Sequence, residues 1–252
     1  VLAMCGLDQV RVYPLPKVAI LSSGDELLSP SQPLEPGKIY ESNGIMLAAL
    51  VARAGAQPHL LGTAPDRPDA IRALLDQAWR SDVDLILTSA GVSVGAFDYL
   101  RMVIESHGEL DFWRVNMRPG KPLMVGSYRG TRLVGLPGNP VSAFIGFEVF
   151  VRPLLGRLSG QADQPDVYHP VRLLEDIRSD GRESYLRAVV ERVGDTWVVR
   201  LTGHQGSGNL HSLVKANALL RIPAGVLALQ AGEIAMARFL HSDPLIGTFI
   251  GD

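Results

Sequence analysis

A serine- and glycine-rich stretch, VDLILTSAGVSVGAFDYL at residues 83–100, has the composition of an anion-binding loop. An apolar run leads into small polar residues, and a new apolar-periodic segment begins at Asp98. This order predicts a buried strand, a loop and the start of a helix. At the carboxyl edge of an α/β sheet, such a loop presents main-chain N–H groups and a helix N-terminus to a phosphate. The loop residues that we expect to bind phosphate are Ser89, Gly91, Ser93 and Gly95.

Three cationic side chains lie within eight residues around a proline-glycine turn. Arg114 ends a predicted strand, and Arg118 and Lys121 flank Pro119-Gly120. Arginine offers a planar fork of donors and lysine offers a point charge, so the group is suited to clamp a phosphate or another oxyanion. The alternative is a solvated surface turn, because basic residues are usually exposed.

A second stiff loop precedes an apolar helix in GLPGNPVSAFIGFEVF, residues 135–150. Its prolines restrict the backbone, and the helix is expected to open at Val141-Ser142. We expect this loop to form a second anion site that faces the first. The alternative is a sharp strand-to-helix connection with a packing role only. The residues expected in the pocket wall are Pro137, Gly138, Asn139, Pro140 and Ser142.

Three carboxylates are candidates for metal or substrate contact. Glu26 lies in GDELL directly after a predicted strand, Asp66 follows the next strand, and Asp98 stands beside the glycine-rich loop. A carboxylate beside a phosphate-binding loop repels the ligand unless it holds a divalent cation or a hydrogen-bond donor of that ligand. The structural alternatives are a turn for Glu26 and helix caps for Asp66 and Asp98.

The elements that must position these residues follow the order β, α, β, α, β, α, β, β, β, α as far as Gly160. This order predicts an α/β domain with a mostly parallel, doubly wound sheet. One helix is expected to start at Ser42 or Asn43 as its N-cap and to end at Gly55, and another is expected to start at Asp98.

After a linker, GQADQPD, the pattern changes near Tyr168 to short alternating strands with turns at Asp180-Gly181 and Gly194-Asp195. This pattern predicts a small β-barrel or sandwich. Its polar glycine loop holds His204 and His211, which we expect to be solvated because no acidic third ligand stands beside them.

Composition limits the classes of function. The 252 residues are 46% hydrophobic and 20% charged, which is enough for one substantial core and a smaller second core. A formal net charge of −2 gives no overall attraction to nucleic acid or to an anionic membrane, so neither is an expected partner. The single cysteine, Cys5, cannot form an internal disulfide and fits the reducing cytoplasm. No apolar run reaches the roughly 18 residues that a membrane span needs.

Four motifs, in this order and spacing, resemble the molybdenum-cofactor-binding domain of molybdopterin molybdenumtransferases, the family of MoeA and the gephyrin E domain. They are GDELL at 24–28, SAGVSVGAFD at 89–98, PGKP at 119–122 and GLPGNPVSA at 135–143. The GHQGSG…KAN segment is similar to the C-terminal domain of that family. The resemblance implies a molybdopterin-binding α/β domain at 17–160 and a barrel-like β domain at 166–252. Residues 1–16 are expected to be a remnant of a preceding domain.

The resemblance implies an enzyme of the last step of molybdenum cofactor synthesis. Adenylylated molybdopterin and molybdate are the implied substrates, and AMP is released with the help of a divalent cation such as Mg²⁺. The implied catalytic and metal-binding residues are Glu26, Asp66 and Asp98. Main-chain amides of the glycine-rich loop would bind phosphate, and Arg114, Arg118 and Lys121 would clamp phosphate or molybdate.

The family also implies a homodimer with a shared active site, and the molybdopterin adenylyltransferase as a further partner. Full-length family members carry two further domains, so this fragment is expected to bind substrate without turning it over.

Three alternatives remain open. A sister class that adenylylates molybdopterin from ATP has the same cofactor-binding fold but lacks the β domain that follows Gly160. A nicotinamide-nucleotide deamidase relative shares a GDEL-like start, but the SVGAFD loop does not suit that class. A gephyrin-like scaffold that anchors receptors would need an exposed apolar patch beside the β domain.

Overall fold

The computed structural model describes residues 1–90, 94–161 and 167–240, and for Ala90 and residues 94–97 it describes the backbone alone. The strands of the first half are β1 (Lys17–Ser23), β2 (Leu27–Leu28), β3 (Ile39–Tyr40), β4 (Gln57–Ala64), β5 (Leu85–Ala90), β6 (Gly108–Arg114), β7 (Met117–Arg118), β8 (Pro122–Tyr128) and β9 (Thr131–Leu136). Its helices are α1 (Asn43–Arg53), α2 (Pro68–Arg80), α3 (Val94–His107), α4 (Pro140–Gly146) and α5 (Arg152–Leu158), and a π-helical segment, Phe147–Val151, joins the last two. A short 3₁₀ turn, Ala3–Cys5, precedes them.

The second half contains β10 (His169–Leu173), β11 (Ile177–Arg178), β12 (Glu183–Val193), β13 (Thr196–Leu201), β14 (Ala218–Ile222), β15 (Ala228–Leu229) and β16 (Ile234–Phe239), with one helix, α6 (Leu210–Lys215). Among the helices that the structure describes, none is long and apolar enough to cross a membrane.

The first half forms a six-stranded sheet in the order β4-β1-β5-β9-β8-β6. The pairings β4–β1, β1–β5 and β5–β9 are parallel, whereas β9–β8 and β8–β6 are antiparallel. The predicted α/β fold is therefore confirmed, but the sheet is mixed rather than mostly parallel. The reason is local: the Arg129-Gly130 turn joins β8 to β9 as a hairpin, which forces an antiparallel pair.

Alternation along β1 distributes the core over both faces of this sheet, because successive side chains of a strand point to opposite sides. Val18 and Ile20 join the cluster formed with α1, α4 and α5. Ala19 and Leu21 join the cluster formed with α2 and α3. With helices packed on both faces, the open positions are the ends of the strands.

The second half forms a barrel-like sheet in the order β13-β10-β16-β14-β12, which the additional pairing β12–β13 closes. Its apolar side chains form a separate cluster that includes Val171, Ala188, Val199, Leu220 and Ala237. The small β-barrel predicted from the alternating pattern therefore corresponds to this closed sheet.

The two halves share a joint that the sequence pattern did not predict. Strand β7 leaves the α/β region and pairs with β12 of the barrel, with Met117 opposite Glu183 and Arg118 opposite Ser184. Met117 also packs in a cluster with Val141 and Tyr185. The segment that carries Arg118 is thus an added barrel strand rather than an isolated turn.

Of the two predicted helix starts, that of α1 at Ser42 is confirmed and that at Asp98 is wrong. Helix α3 begins at Val94, so Asp98 lies one turn inside it and is exposed. Ser42 occupies the N-cap position of α1 but makes no side-chain cap hydrogen bond. Glu41 supplies the capping acceptor instead, since its Oε1 accepts from the Gly44 N–H at 2.7 Å. The end of that helix was predicted correctly, because Gly55 has the positive φ, 78°, of a residue that terminates a helix.

Candidate functional site

One edge of the mixed sheet collects the predicted site residues. The parallel strands β4, β1, β5 and β9 all end there, followed or closed by Asp66, Glu26, Ser89 and Pro137. Strand β8 runs the opposite way, so it starts at this edge, directly after Lys121. Along the edge the carboxylates therefore lie on the β4–β1 side and the cations lie on the β9–β8 side.

Asn43, the first residue of α1, joins the ends of two neighbouring strands. Its Nδ2 donates to Ser89 Oγ and to the Gly138 carbonyl, each at 2.7 Å. The residue is 7% exposed, and its Oδ1 has no hydrogen-bond partner among the described residues. Since Ser89 pairs with Leu136, this bridge ties the end of β5 to the PGNP loop that follows β9. The sequence analysis considered Asn43 only as a helix cap. Its bridging role depends on burial between two strand ends, which a local pattern does not indicate.

The PGNP loop has a structural role as well as a position at the site. Asn139 Oδ1 accepts from the Val141 N–H at 3.2 Å and so caps α4. The Asn139 side-chain oxygen is therefore engaged within the loop, whereas Ser142, 5% exposed, forms part of the buried first turn of the helix.

The PGKP turn packs directly on that first turn. Gly120 has φ +107°, and a Cβ atom added to it would lie 2.8 Å from Met117 Cε and 3.7 Å from the Ser142 carbonyl oxygen. A φ of +107° is a backbone conformation that glycine adopts readily and other residues rarely do. The turn therefore holds Lys121 beside the PGNP loop. The role of Lys121 in an anion clamp stays a prediction.

The two predicted arginines of the clamp make other contacts. The Arg114 guanidinium lies over the Trp113 ring, 3.7 Å from its centroid. Arg118 Nη1 lies 3.4 Å from Asp180 Oδ2, and its side chain is 48% exposed. Arg118 thus faces the barrel, whereas Arg114 stacks on the edge strand β6.

Arg187 on β12 is a buried cation that the sequence analysis did not consider. It is 0% exposed, its Nε donates to Ser212 Oγ at 2.9 Å, and its Nη2 donates to the Gly206 carbonyl at 3.0 Å. Its Nη1 has no partner among the described residues. Loss of solvent on burial, and secondarily the charge of Arg118, lower the pKa of Arg187 to about 10. Arg187 therefore stays charged at neutral pH. In the sequence, Arg187 lies in a segment that alternates like any β-strand. It differs from a surface arginine because it is buried and has no carboxylate partner among the described residues.

The carboxylates at the other end of the edge are close in the fold. The Glu26 carboxylate lies over Gly24, 2.8 Å from the position of an added Cβ. Asp25 Oδ1 accepts from the Asp66 N–H at 3.1 Å, so the segments after β1 and β4 are tied together. Within the described residues, however, no three acidic, histidine or cysteine side chains are grouped to hold a metal ion. The assignment of Glu26, Asp66 and Asp98 to catalysis and metal binding stays a prediction, with Asp98 exposed on the second turn of α3.

The remaining predicted residues are described in part. Gly91 and Ser93 lie outside the described residues, and Gly95 is described only as backbone in the first turn of α3. His204 and His211 are exposed, and His204 Nδ1 accepts from the Gly206 N–H at 3.2 Å.

Comparison with known families gives two matches. Residues 19–157 match the model of the probable molybdopterin binding domain, and residues 170–237 match the model of the MoeA C-terminal region, domain IV.

Individual relatives agree with these matches. The chain is 42% identical over 241 residues to molybdopterin molybdenumtransferase 2 of Mycobacterium tuberculosis, covering 91% of the chain and 58% of that protein. It is 39% identical to molybdopterin molybdenumtransferase of Nostoc, covering 92% of the chain and 55% of that protein. A crystal structure of a molybdopterin biosynthesis MoeA protein from Pyrococcus horikoshii matches with a TM-score of 0.82 and 31% identity, covering 96% of the chain and 59% of that structure. The chain therefore spans less than two thirds of the length of these relatives.

Proposed function

Because this chain belongs to the family of probable molybdopterin-binding domains and continues into the MoeA C-terminal region, we propose that it carries the substrate-binding part of a molybdopterin molybdenumtransferase. The proposed reaction takes adenylylated molybdopterin and molybdate, releases AMP, and leaves molybdenum bound to the dithiolene. The observation that supports the proposal is the buried guanidinium of Arg187, which is repelled by the charge of Arg118 and has no carboxylate partner among the described residues.

A buried cation without a counter-ion is costly unless an anion joins it. Arg187 already contacts two neutral acceptors, Ser212 and Gly206, and the nearby charge of Arg118 adds repulsion. An oxyanion with two negative charges relieves this repulsion and can accept from the open Nη1. We therefore assign Arg187, with Arg118 and Lys121, to the binding of molybdate.

The phosphates of the organic substrate are assigned to the neighbouring loops. The main-chain amides of Gly91, Ser93 and Gly95 are suited to them, because this sequence leads into the N-terminus of α3, and Ser89 at the end of β5 is assigned to the same substrate. The wall from Pro137 to Ser142 completes this part of the site. Asn43 supports the assignment by holding the bases of both loops together.

The carboxylates are assigned to cation handling. Mg²⁺ usually takes only one or two protein carboxylates and completes its shell with water and substrate phosphates, so a preformed cage is not needed. Glu26 and Asp66 follow adjacent strands, and Asp98 projects from the helix after the phosphate loop. Such residues would hold the ion against the phosphates, where it neutralises charge on the departing AMP.

We further propose a homodimer and a transient complex with the molybdopterin adenylyltransferase, both in the cytoplasm. Exposed apolar side chains before β1, including Val12, Tyr13 and Leu15, support a contact with another protein surface. Sedimentation velocity of the full-length protein, alone and with the adenylyltransferase, tests both partners.

Equilibrium dialysis of the folded chain against molybdate tests the central assignment. Arg187→Lys keeps the positive charge but loses the planar set of guanidinium donors. Arg118→Ala removes the second, exposed cation. Each is expected to weaken binding about tenfold or more, the effect of a lost charge-assisted hydrogen bond. Arg178→Ala, an exposed arginine on β11, is the matched control and should leave binding unchanged. Unchanged affinity in both site variants would contradict the assignment, and a preference for ATP over the adenylylated pterin would favour the adenylylating class.

A further inference from the structure

A groove of about 560 Å³ opens at the acidic end of the sheet edge, beside the residues assigned to the cation. Part of its lining is apolar and comes from Leu27, Ile45, Leu60 and Pro65. Ile45 is 54% exposed and Leu60 is 56% exposed, so these side chains present apolar surface to whatever enters. The polar part of the lining includes two carboxylates, Asp25 and Glu41.

Each carboxylate is held by the protein through one oxygen only. Glu41 Oε1 accepts from Ser22 Oγ at 3.0 Å and from the Gly44 N–H at 2.7 Å. Asp25 Oδ1 accepts from the Asp66 N–H. Within the described part of the chain, no hydrogen bond reaches Glu41 Oε2 or Asp25 Oδ2. In each side chain, one carboxylate oxygen is hydrogen-bonded to the protein and the other oxygen can accept from a ligand.

The lining contains no arginine or lysine. Lys38, the nearest cation on this segment, contacts the Asp25 carbonyl at 2.6 Å rather than its carboxylate. Phosphate and molybdate are therefore disfavoured in the groove, since fixed carboxylates without a cation repel them. A flat, uncharged ring that carries N–H donors meets both properties of the lining, because its faces pack on the apolar residues and its edge donates to the acids.

We propose that this groove binds the aminopyrimidinone end of the pterin ring, with Glu41 Oε2 accepting from its N–H donors. This inference rests on the proposed function and assigns the pterin subsite within it. Pterin presents a ring N–H and an exocyclic amino group side by side, a pattern that suits a carboxylate and that adenine lacks. Strand β1 is separated from β9 by two strand spacings, about 10 Å. An extended pterin can therefore lie with its ring in the groove and its phosphate arm toward the PGNP loop.

Titration of the whole chain with pterin and with lumazine, followed by ligand fluorescence, tests the proposal. Lumazine has the same two rings but carries an oxo group in place of the amino group. We expect the chain to bind pterin about tenfold more tightly than lumazine, the effect of one hydrogen bond to a charged acceptor. Equal affinities would overturn the proposal.

Variants locate the effect. Glu41→Gln keeps an acceptor for the Gly44 N–H but loses the charge, and it should abolish the preference for pterin. Glu35→Gln changes an exposed acid of the same loop outside the groove and should retain the preference. Ile45→Trp fills the groove from an exposed position, so it should reduce pterin binding even if Glu41→Gln does not fold. Pterin binding that survives Ile45→Trp, or a preference that survives Glu41→Gln, would contradict the assignment.

Molybdate dialysis on the same samples separates this proposal from the proposed function. Absence of pterin binding with molybdate binding retained would overturn the groove alone. Loss of both would overturn the two proposals together.

Discussion

Arg238 of the barrel strand β16 and Glu148 of the π-helical segment form a buried ion pair, with Arg238 Nη2 2.7 Å from Glu148 Oε2. Arg238 also donates to the Glu148 carbonyl at 2.9 Å. Two further guanidinium groups, those of Arg53 and Arg152, lie 2.8 and 3.1 Å from the same carboxylate. One carboxylate therefore ties α1 and the start of α5 to strand β16 of the barrel.

Glu148→Gln is predicted to destabilise the chain by about 3–5 kcal/mol, because it removes the negative charge of a buried ion pair with Arg238. Urea unfolding measures the loss. Glu105→Gln breaks the exposed Arg101–Glu105 pair on α3 and should change stability by less than about 1 kcal/mol. Similar losses of unfolding free energy in the two variants would show that the buried ion pair contributes no more to stability than the exposed one.

Asn43→Asp replaces the donor that faces the Gly138 carbonyl with an acceptor. We expect a loss of about 1–3 kcal/mol in unfolding free energy, together with weaker binding of adenylylated molybdopterin, since the two loops lose their common support. Calorimetric titration measures the binding. Asn209→Asp, which changes an exposed amide bonded to the His204 carbonyl, is the control. Wild-type substrate affinity in Asn43→Asp would refute a positioning role.

Gly120→Ala is predicted to lower stability by about 1–3 kcal/mol through backbone strain and to weaken molybdate binding as Lys121 shifts. Gly130→Ala is a matched control, because Gly130 also has a positive φ but no atom within 4 Å of an added Cβ. Thermal unfolding and dialysis of both variants separate the strain from the contact. If the control affected molybdate binding as strongly, the packing of the PGKP turn on α4 would not matter.

Asp98→Ala should abolish molybdenum insertion in the full-length protein while leaving the unfolding free energy within about 0.5 kcal/mol of wild type, because the side chain is exposed. Insertion assays with urea unfolding of the same preparations check both parts. Insertion at the normal rate would remove Asp98 from the catalytic group.

The pH dependence of stability has a defined contribution from Asp180. Hydrogen bonds from Arg182 lower its pKa from 3.8 to about 2. A carboxyl group whose pKa is lower in the folded state stabilises the protein above its unfolded pKa and loses this contribution as the pH falls through the folded one. Asp180→Asn should therefore flatten the fall in melting temperature between pH 3.8 and about 2. If the melting temperature of Asp180→Asn fell as steeply as that of the wild type, Asp180 would not contribute to this pH dependence.

Local sequence patterns were sufficient to locate the segments with candidate functional residues and to place each of them relative to its own strand or helix. Apolar runs and glycine- or proline-containing turns are local signals, so the positions of Glu26, Asp66, Ser89 and Pro137 at strand ends followed from them. The Arg129-Gly130 turn that joins β8 to β9 is also a local signal, and it makes this pair of strands antiparallel. The motif order also implied the family before any coordinates.

Which of these groups lie next to one another depends on long-range contacts in the folded chain. The bridge from Asn43 to Ser89 and Gly138, the approach of Gly120 to Ser142, and the burial of Arg187 near Arg118 each join residues more than twenty positions apart. Such contacts depend on strand order and on the packing of the barrel against the α/β region, and no local pattern encodes them. The start of α3 differed from its prediction for a related reason: a good capping residue is only a weak preference, which packing of the whole helix overrides.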